Sequence, residues 1–318
     1  MTKTKRKTKI RKNKTKKNKP VEISSDFESG NIIHKSSKCD KHLNSIINLE
    51  IREEPYPKRT RRKYKNWFYF KAANLKGKTK FNIANIRNYF NDWKGYTVCY
   101  SYNNKTWKRL KTRVNIEKKR LVWEINPKKS TMWFAFYPPY PFSKSKKLLP
   151  NMKTIGYTKE KRPILMKKIG SGPKRVWLIS GQHSGETINS WILEGFVKRL
   201  LERKSTLSKK YTFFIVPNAN PDGNVRGHWY VTSKGINLNR DWLHTKSPEV
   251  KAIKKQMDKY GYDIVFDIHG DEGCTKHFIL HSLGCKPPYF DGINKKLNQK
   301  NKHFQLKNYY DNAYMKGA

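Results

Sequence analysis

The stretch Arg175-Val-Trp-Leu-Ile-Ser-Gly-Gln-His-Ser-Gly-Glu186 decides the fold class of this chain. Its first half is apolar without alternation, which is typical of a strand buried on both faces of a parallel sheet. Residues 187–202 follow with apolar side chains at helical spacing. Downstream the pattern predicts a strand, a helix with proline in its first turn and another strand, at residues 211–216, 248–260 and 263–268. This alternation predicts an α/β domain with a mixed, largely parallel sheet and flanking helices.

Before this region the chain carries short runs rich in β-branched and aromatic residues, separated by Asn, Gly and Lys clusters. The runs are residues 67–70, 80–83, 96–101, 121–125 and 133–137. Their length and spacing predict a small antiparallel β-sandwich. We therefore expect three regions, which are a basic disordered arm with a linker, the sandwich and the α/β domain, at residues 1–65, 66–145 and 146–318.

The chain is strongly basic, with 70 Lys and Arg against 24 Asp and Glu and a formal net charge of +46 over 318 residues. Residues 1–20 carry no acid and interleave Lys and Arg with Thr and Asn, a composition that predicts a disordered arm. Such an arm can contact nucleic acid non-specifically, direct nuclear import or act as a solubilising tail, and the sequence leaves these interpretations open. The rest of the chain is also basic, which favours acidic partners.

Composition excludes several classes of protein. The N-terminus has charge but no apolar stretch behind it, so we expect no secretory signal. No window approaches the ~18 consecutive apolar residues that span a bilayer, so we expect no membrane contact. The four cysteines are scattered without CxxC spacing, which disfavours a disulfide scaffold and favours a reducing compartment. We expect a cytoplasmic protein that is not secreted, with the nucleus left open by the basic arm.

Residues with metal-binding chemistry follow two of the predicted strands. His183 and Glu186 are three residues apart at the start of a helix, a spacing that lets both side chains project toward one point. His269 stands at the carboxyl end of the third strand, the edge where ligands collect in open α/β sheets. Two histidines and one carboxylate are the open three-ligand set of a catalytic zinc. Each motif alone occurs often by chance, and the spacing does not separate zinc from iron or copper.

Another polar cluster follows the second strand. Asn220-Pro-Asp-Gly223 is typical of a tight turn. Asn239 and Arg240 together offer a planar grip on a carboxylate. A surface arginine after a turn is the plain alternative. Close to a metal centre, the pair would select substrates that carry a free carboxylate near the scissile bond.

Four motifs occur in order along the chain: Gln182-His-Ser-Gly-Glu186, Asn220-Pro-Asp-Gly223, Gly235-Ile-Asn-Leu-Asn-Arg-Asp-Trp242 and Phe266-Asp-Ile-His-Gly-Asp-Glu-Gly273. Together they resemble the zinc carboxypeptidases of the M14 family, and more closely its cytosolic carboxypeptidase subfamily. That subfamily carries a β-sandwich before its catalytic domain, which residues 67–137 resemble. The resemblance covers roughly residues 65–318 and leaves out the basic arm.

The resemblance implies that His183, Glu186 and His269 bind one zinc ion per chain. It implies that Asn239 and Arg240 hold the C-terminal carboxylate of a polypeptide substrate. The implied reaction is hydrolysis of a C-terminal peptide or isopeptide bond, in which zinc polarises the carbonyl and a glutamate acts as general base. The subfamily is associated with acidic C-terminal tails, which a basic surface suits.

Two departures from the family pattern lead to alternatives. Relatives usually carry an arginine that stabilises the oxyanion where this chain has Tyr230. Their general-base glutamate lies on a later strand than His269, and no glutamate follows Glu272 here, so we expect a C-terminally truncated chain and assign no catalytic residue. The alternatives to a carboxypeptidase are an inactive relative that retains zinc and an N-acyl amino acid deacylase-like hydrolase. The sandwich favours the carboxypeptidase over the deacylase.

Overall fold

The structure is a computed structural model that describes residues 19–56, 63–87, 93, 95–202, 206–270 and 287–301. Nearly all of the basic arm lies outside these residues, as does the end of the fourth motif beyond Gly270. The predictions of a disordered arm and of its contacts therefore stay predictions.

The N-terminal part of the fold consists of strands that pair into two sheets. The strands are β1 (Glu22–Ser24), β2 (Ile33–Cys39), β3 (Ser45–Glu50), β4 (Tyr69–Ala73), β5 (Thr79–Ile83), β6 (Thr97–Ser101), β7 (Lys108–Lys111), β8 (Arg113–Asn115), β9 (Arg120–Ile125) and β10 (Met132–Ala135). Their orders are β1-β4-β10-β6-β7 and β2-β3-β5-β9-β8. Among the described strands of these two sheets, the predicted antiparallel pairing has one exception, because β3 and β5 run parallel.

An aromatic core lies between the two sheets. Phe70 and Phe134 come from one sheet, Phe81 and Trp123 from the other, and none is more than 2% exposed. The ring centroids of Phe81 and Phe134 are 4.7 Å apart across the core. Each such side chain contributes about 1.5–3 kcal/mol through burial of apolar surface. The aromatic runs of the sequence thus become the inner faces of the sandwich.

The linker predicted within residues 1–65 was wrong where β1, β2 and β3 lie, at residues 22–24, 33–39 and 45–50. β3 is an inner strand of its sheet, because it pairs with β2 on one side and with β5 on the other. Ile47 and Leu49 of β3 are fully buried. β2 is exposed along its whole length, so its residues carry no alternation by which the sequence could indicate a strand.

The C-terminal part is the predicted α/β domain. Its elements are α1 (Phe142–Ser145), β11 (Lys153–Tyr157), β12 (Pro163–Ile169), β13 (Lys174–Ser180), α2 (Ile188–Leu200), α3 (Leu207–Lys210), β14 (Tyr211–Val216), α4 (Pro221–Arg226), a 3-10 turn (Leu238–Arg240), α5 (Pro248–Tyr260) and β15 (Ile264–Ile268). The sheet order is β11-β12-β14-β13-β15. β13 is parallel to both β14 and β15, whereas β11 and β12 are antiparallel. The mixed α/β fold class is confirmed.

Both faces of β13 are covered, which explains its unbroken apolar run. Trp177 and Ile179 pack with α5 on one face, while Val176 and Leu178 pack with α2 on the other. The helices match their predicted positions because each presents one apolar stripe to the sheet. In α5 the side chain of Ser247 caps the first turn by accepting the amide of residue 250.

A further helix, α6 (Pro287–Lys300), belongs to a second compact unit made of residues 89–95 and 270–318. Among the described residues, no helix combines the length and apolar character that crossing a membrane requires.

Candidate metal centre

The three predicted metal ligands follow two adjacent parallel strands. His183 and Glu186 lie in the loop between β13 and α2, and His269 directly follows β15. Ser180 and Ile268 are register partners at the ends of these strands, so both loops leave the sheet at the same edge. Gly181 turns the chain there with a φ of +75°, a conformation that other residues rarely adopt. The local topology therefore brings residues more than eighty positions apart into one site.

The three side chains face one another closely. One ligand atom from each of His183, Glu186 and His269 lies within 4.8 Å of the other two. His183 Nδ1 is 2.8 Å from one carboxylate oxygen of Glu186, and His269 Nδ1 is 3.0 Å from the other. His183 and Glu186 are buried, whereas the His269 side chain is 26% exposed. The site is thus closed on one side and open to solvent at His269.

The outer nitrogens of both imidazoles have hydrogen-bond acceptors. His183 Nε2 lies 3.0 Å from Asn237 Oδ1, and that atom is an oxygen because it also accepts the backbone amide of Asn239. His269 Nε2 lies 3.0 Å from Asp267 Oδ2. Each Nε2 therefore carries a proton, and the two Nδ1 atoms that face the Glu186 carboxylate are the positions where each ring can hold a second proton or bind a metal ion. Such a cluster of facing acceptors requires a shared cation, either protons or a metal ion, and it fits the donor set of zinc.

Electrostatics keep Glu186 ionised. Burial acts to raise the pKa of its carboxyl, but the positive charge and hydrogen bonds of His183 and His269 outweigh it and lower the pKa to about 2. For His269, burial acts to lower the pKa, and the carboxylates of Asp267 and Glu186 together raise it well above its ordinary value. A metal cation can take the place of the protons that this balance retains.

A chain of hydrogen bonds orients His269 from outside the ligand set. The Asp267 oxygen that faces His269 also accepts the Gln182 side-chain amide at 2.7 Å. Trp242 Nε1 in turn donates to Gln182 Oε1 at 2.9 Å, which fixes the orientation of that amide. The sequence alone indicated no role for Asn237, Asp267 or Gln182. The only signal for them was their place one or two residues from predicted site residues.

Tyr230 lies against the candidate metal-binding loop, which is residues 181–187 between β13 and α2. Its ring stacks on the imidazole of His183, with centroids 4.0 Å apart and planes inclined by 25°. The opposite face of the Tyr230 ring stacks on Tyr64, at 4.1 Å. Tyr230 departs from the family pattern in the sequence, but no sequence pattern predicted either ring contact.

The structure places Asn239 and Arg240 in different surroundings. Both belong to the 3-10 turn after Asn237. Asn239 lines a cavity of about 200 Å³ together with Asp267 and apolar side chains that include Trp242. Arg240 is exposed, and its Nη1 donates to the carbonyl of Asn239 at 2.9 Å. Asn239 is thus next to the candidate site, because it lines the same cavity as Asp267, the residue that contacts His269. The Arg240 guanidinium lies along the same turn.

Comparison with known proteins is consistent with this geometry. Residues 23–137 match the family described as cytosolic carboxypeptidase N-terminal domain, and residues 142–272 match zinc carboxypeptidase. A candidate carboxypeptidase A from Shewanella denitrificans is 30% identical, with a TM-score of 0.78 over 91% of this chain and 81% of that one. A metallo-carboxypeptidase from Pseudomonas aeruginosa, in complex with (2-guanidinoethylmercapto)succinic acid, is 26% identical, with a TM-score of 0.81 over 92% of this chain and 82% of that one.

Cytosolic carboxypeptidase 6 of Caenorhabditis elegans is 26% identical over 310 residues, which cover 83% of this chain. The chain spans 62% of the length of that relative. The match of residues 23–137 includes β1, β2 and β3, so the comparison places these strands with the sandwich, as the structure does.

Proposed function

Because this chain belongs to the M14 family of zinc carboxypeptidases, and within it resembles the cytosolic carboxypeptidases, we propose that it hydrolyses C-terminal residues from polypeptides at a single zinc ion. The observation that carries the proposal is the convergence of His183, Glu186 and His269 within 4.8 Å. Bound there, zinc would supply a Lewis acid that polarises a carbonyl and activates water.

The residues of this chain would prepare the site in three ways. Glu186 supplies the negative charge that retains the cation, and its burial protects that charge from solvent. Asn237 and Asp267 hold the proton of each imidazole on Nε2, so that both Nδ1 lone pairs point inward. The exposed side of His269 leaves room for water and substrate. These features support a catalytic arrangement, which keeps an open position, over a closed structural one.

We assign the recognition of the substrate's C-terminal carboxylate to Asn239 and Arg240. The Asn239 amide borders the cavity beside Asp267, and a guanidinium on the same turn can form two parallel hydrogen bonds with a carboxylate. A preference for acidic C-terminal tails is supported by the net charge of +46, which attracts acidic chains by long-range electrostatics. A cytoplasmic location is also proposed, and it is supported by the match of residues 23–137 to the cytosolic carboxypeptidase N-terminal domain.

The test is release of C-terminal residues by the zinc-loaded chain. Peptides that end in Glu, Lys or Phe are incubated with it, and shortening by one residue is followed by mass spectrometry. We expect release that stops with a chelator and with Glu186→Gln. The charge-matched control Glu202→Gln, at an exposed position, should retain activity. A chain that binds zinc but shortens none of the peptides would contradict the proposal.

That negative result would favour the second candidate, an inactive relative that retains zinc. The contact of Tyr230 with His183 favours this candidate, since a phenol there supplies no fixed positive charge to an oxyanion. Among the described residues, moreover, the carboxylates in contact with the two histidines are those of Glu186 and Asp267, which already serve the imidazoles. The deacylase alternative is disfavoured by the match to a cytosolic carboxypeptidase N-terminal domain.

A further inference from the structure

A carboxylate from the N-terminal part of the chain is buried against the loop that carries Tyr230. Glu54 is 7% exposed, and its two oxygens accept three successive backbone amides of that loop. The distances are 2.7 Å from the amide of Trp229, 3.1 Å from that of Tyr230 and 3.0 Å from that of Val231. Successive amides that converge on one carboxylate form an anion-binding concavity.

Within the described part of the chain, the hydrogen-bond partners of Glu54 are donors. Besides the three amides, the hydroxyl of Tyr56 donates to the carboxylate. Burial raises the pKa of Glu54 to about 7, although these hydrogen bonds act to lower it. A buried carboxylate is costly to retain where its only task is to join two parts of a fold. The same junction already has polar contacts of lower cost, such as the Asn31 side-chain amide, which donates to the carbonyl of Gly227 at 2.8 Å.

Two series of contacts connect Glu54 with the candidate metal-binding loop of residues 181–187. In the first series, the carbonyl of Trp229 accepts the amide of Gly185 at 2.9 Å, and Gly185 lies between His183 and Glu186. A Cβ on Gly185 would come within 2.8 Å of the Trp229 Cα, so the two loops are in direct backbone contact. Trp229, whose amide donates to Glu54, therefore also accepts a hydrogen bond from the loop that supplies two of the candidate ligands.

The second series of contacts consists of stacked rings. The Tyr230 ring lies between the imidazole of His183, at 4.0 Å, and the ring of Tyr64, at 4.1 Å. Tyr64 is in turn placed by Glu54, because its amide donates at 3.2 Å to the hydroxyl of Tyr56, the group that donates to Glu54. The Glu54 carboxylate thus holds the backbone amide of Tyr230 directly. Through the Tyr56 hydroxyl it also helps to hold the backbone amide of Tyr64.

We propose that Glu54 is a positioning residue of the metal centre, which holds the amides of residues 229–231 so that the Tyr230 ring stays flat against His183 and fixes the orientation of that ligand. The N-terminal part of the chain, to which Glu54 belongs, thereby helps to order the candidate metal site. The effect of Glu54 on turnover rests on the proposed carboxypeptidase function, whereas its effect on the His183 ring does not.

The experiment compares Glu54→Gln with Asn31→Ala, which removes a neighbouring buried contact between the same parts of the chain. The first readout uses the metal-free chain and needs no activity. It is the NMR shift of the His183 ring protons, which the stacked Tyr230 ring displaces. We expect Glu54→Gln and Tyr230→Ala to move these signals toward unstacked values, and Tyr230→Phe and Asn31→Ala to leave them near those of the parent chain.

The second readout is metal binding. We expect Glu54→Gln to weaken zinc affinity about tenfold, the lower end for loss of a group that orients a ligand, and to alter the visible spectrum of the cobalt-substituted chain. The effects of Glu54→Gln and Tyr230→Ala should be non-additive, since both act through one ring. Unchanged His183 signals and zinc affinity in Glu54→Gln, with a lower melting temperature alone, would overturn the proposal. Absence of zinc binding by the parent chain would instead contradict the proposed function, and the NMR comparison would still decide the role of Glu54.

Discussion

Replacement of Asp267 tests how the structure orients His269. One oxygen of this carboxylate accepts His269 Nε2 at 3.0 Å and the Gln182 amide at 2.7 Å. Asp267→Ala removes both hydrogen bonds and frees the imidazole to rotate. Asp267→Asn retains an oxygen that can accept both donors, because Trp242 fixes the direction of the Gln182 amide. The two variants therefore separate loss of geometry from loss of charge.

The expected magnitude follows from these contacts. Loss of a group that orients a metal-binding histidine weakens metal affinity about 10–100-fold, which corresponds to about 1.4–2.8 kcal/mol. The Asp267 side chain is 36% exposed, so water can replace part of the interaction. We therefore expect about tenfold weaker zinc binding for Asp267→Ala. Charge-assisted hydrogen bonds are about twice as strong as neutral ones, so Asp267→Asn should cost about half the free energy, or about threefold in affinity.

Competition with a chromophoric chelator at fixed pH measures the zinc dissociation constant of each variant. Asp258→Ala is the matched control, since Asp258 is exposed on α5 and its loss changes the net charge equally. We expect the control to bind zinc like the parent chain. Equal affinity in the parent and Asp267→Ala would refute the role given to this carboxylate.

Three further predictions concern stability. Hydrogen bonds from Arg175 lower the pKa of Asp263 to about 2, so its contribution is present above about pH 4 and is lost as the pH falls through about 2. Asp263→Asn should lower the melting temperature at neutral pH and flatten its acid dependence, and identical pH profiles would contradict this. Gly185→Ala places a Cβ against Trp229 and should destabilise by about 1–3 kcal/mol in urea. A Cβ at Gly195 would meet none of the described residues outside its own helix within 4 Å, so Gly195→Ala should be neutral or stabilising. A loss in Gly195→Ala equal to that in Gly185→Ala would count against the steric argument. Trp177→Ala, at a fully buried position, should cost about 3–5 kcal/mol, and Trp191→Ala, at a position 38% exposed, should cost less. A loss in Trp191→Ala as large as in Trp177→Ala would refute the assigned core.

The α/β domain could be predicted from the sequence because its elements carry their own signals. β13 and β14 are short apolar runs buried on both faces, and α5 combines an apolar stripe with a cap and proline at its start. β2 could not be predicted, since it is polar and exposed and owes its conformation to hydrogen bonds with β3. Strand pairing of this kind depends on a partner elsewhere in the chain, which a local pattern does not record.

The residues of the candidate site likewise differ in whether the sequence indicates them. The proximity of His183, Glu186 and His269 could be predicted, because metal ligands must be of a few residue types and because strand ends share an edge of the sheet. Glu54 could not be predicted, since it lies 175 residues from the nearest amide that it binds and sits in a segment predicted to be a linker. Nor did the pattern indicate that Tyr230 stacks on His183. Residues that position a ligand can be of many types, so only their contacts identify them.

The most direct test of the account is the zinc content of the chain and of three single variants. After zinc loading and dialysis, metal analysis should find one zinc per parent chain. His183→Ala, Glu186→Gln and His269→Ala should each lose most of it, because each removes one of the three groups that converge within 4.8 Å. His42→Ala, at an exposed histidine, should retain it. A parent chain without zinc, or zinc retained in all three site variants, would contradict a metal centre formed by these residues.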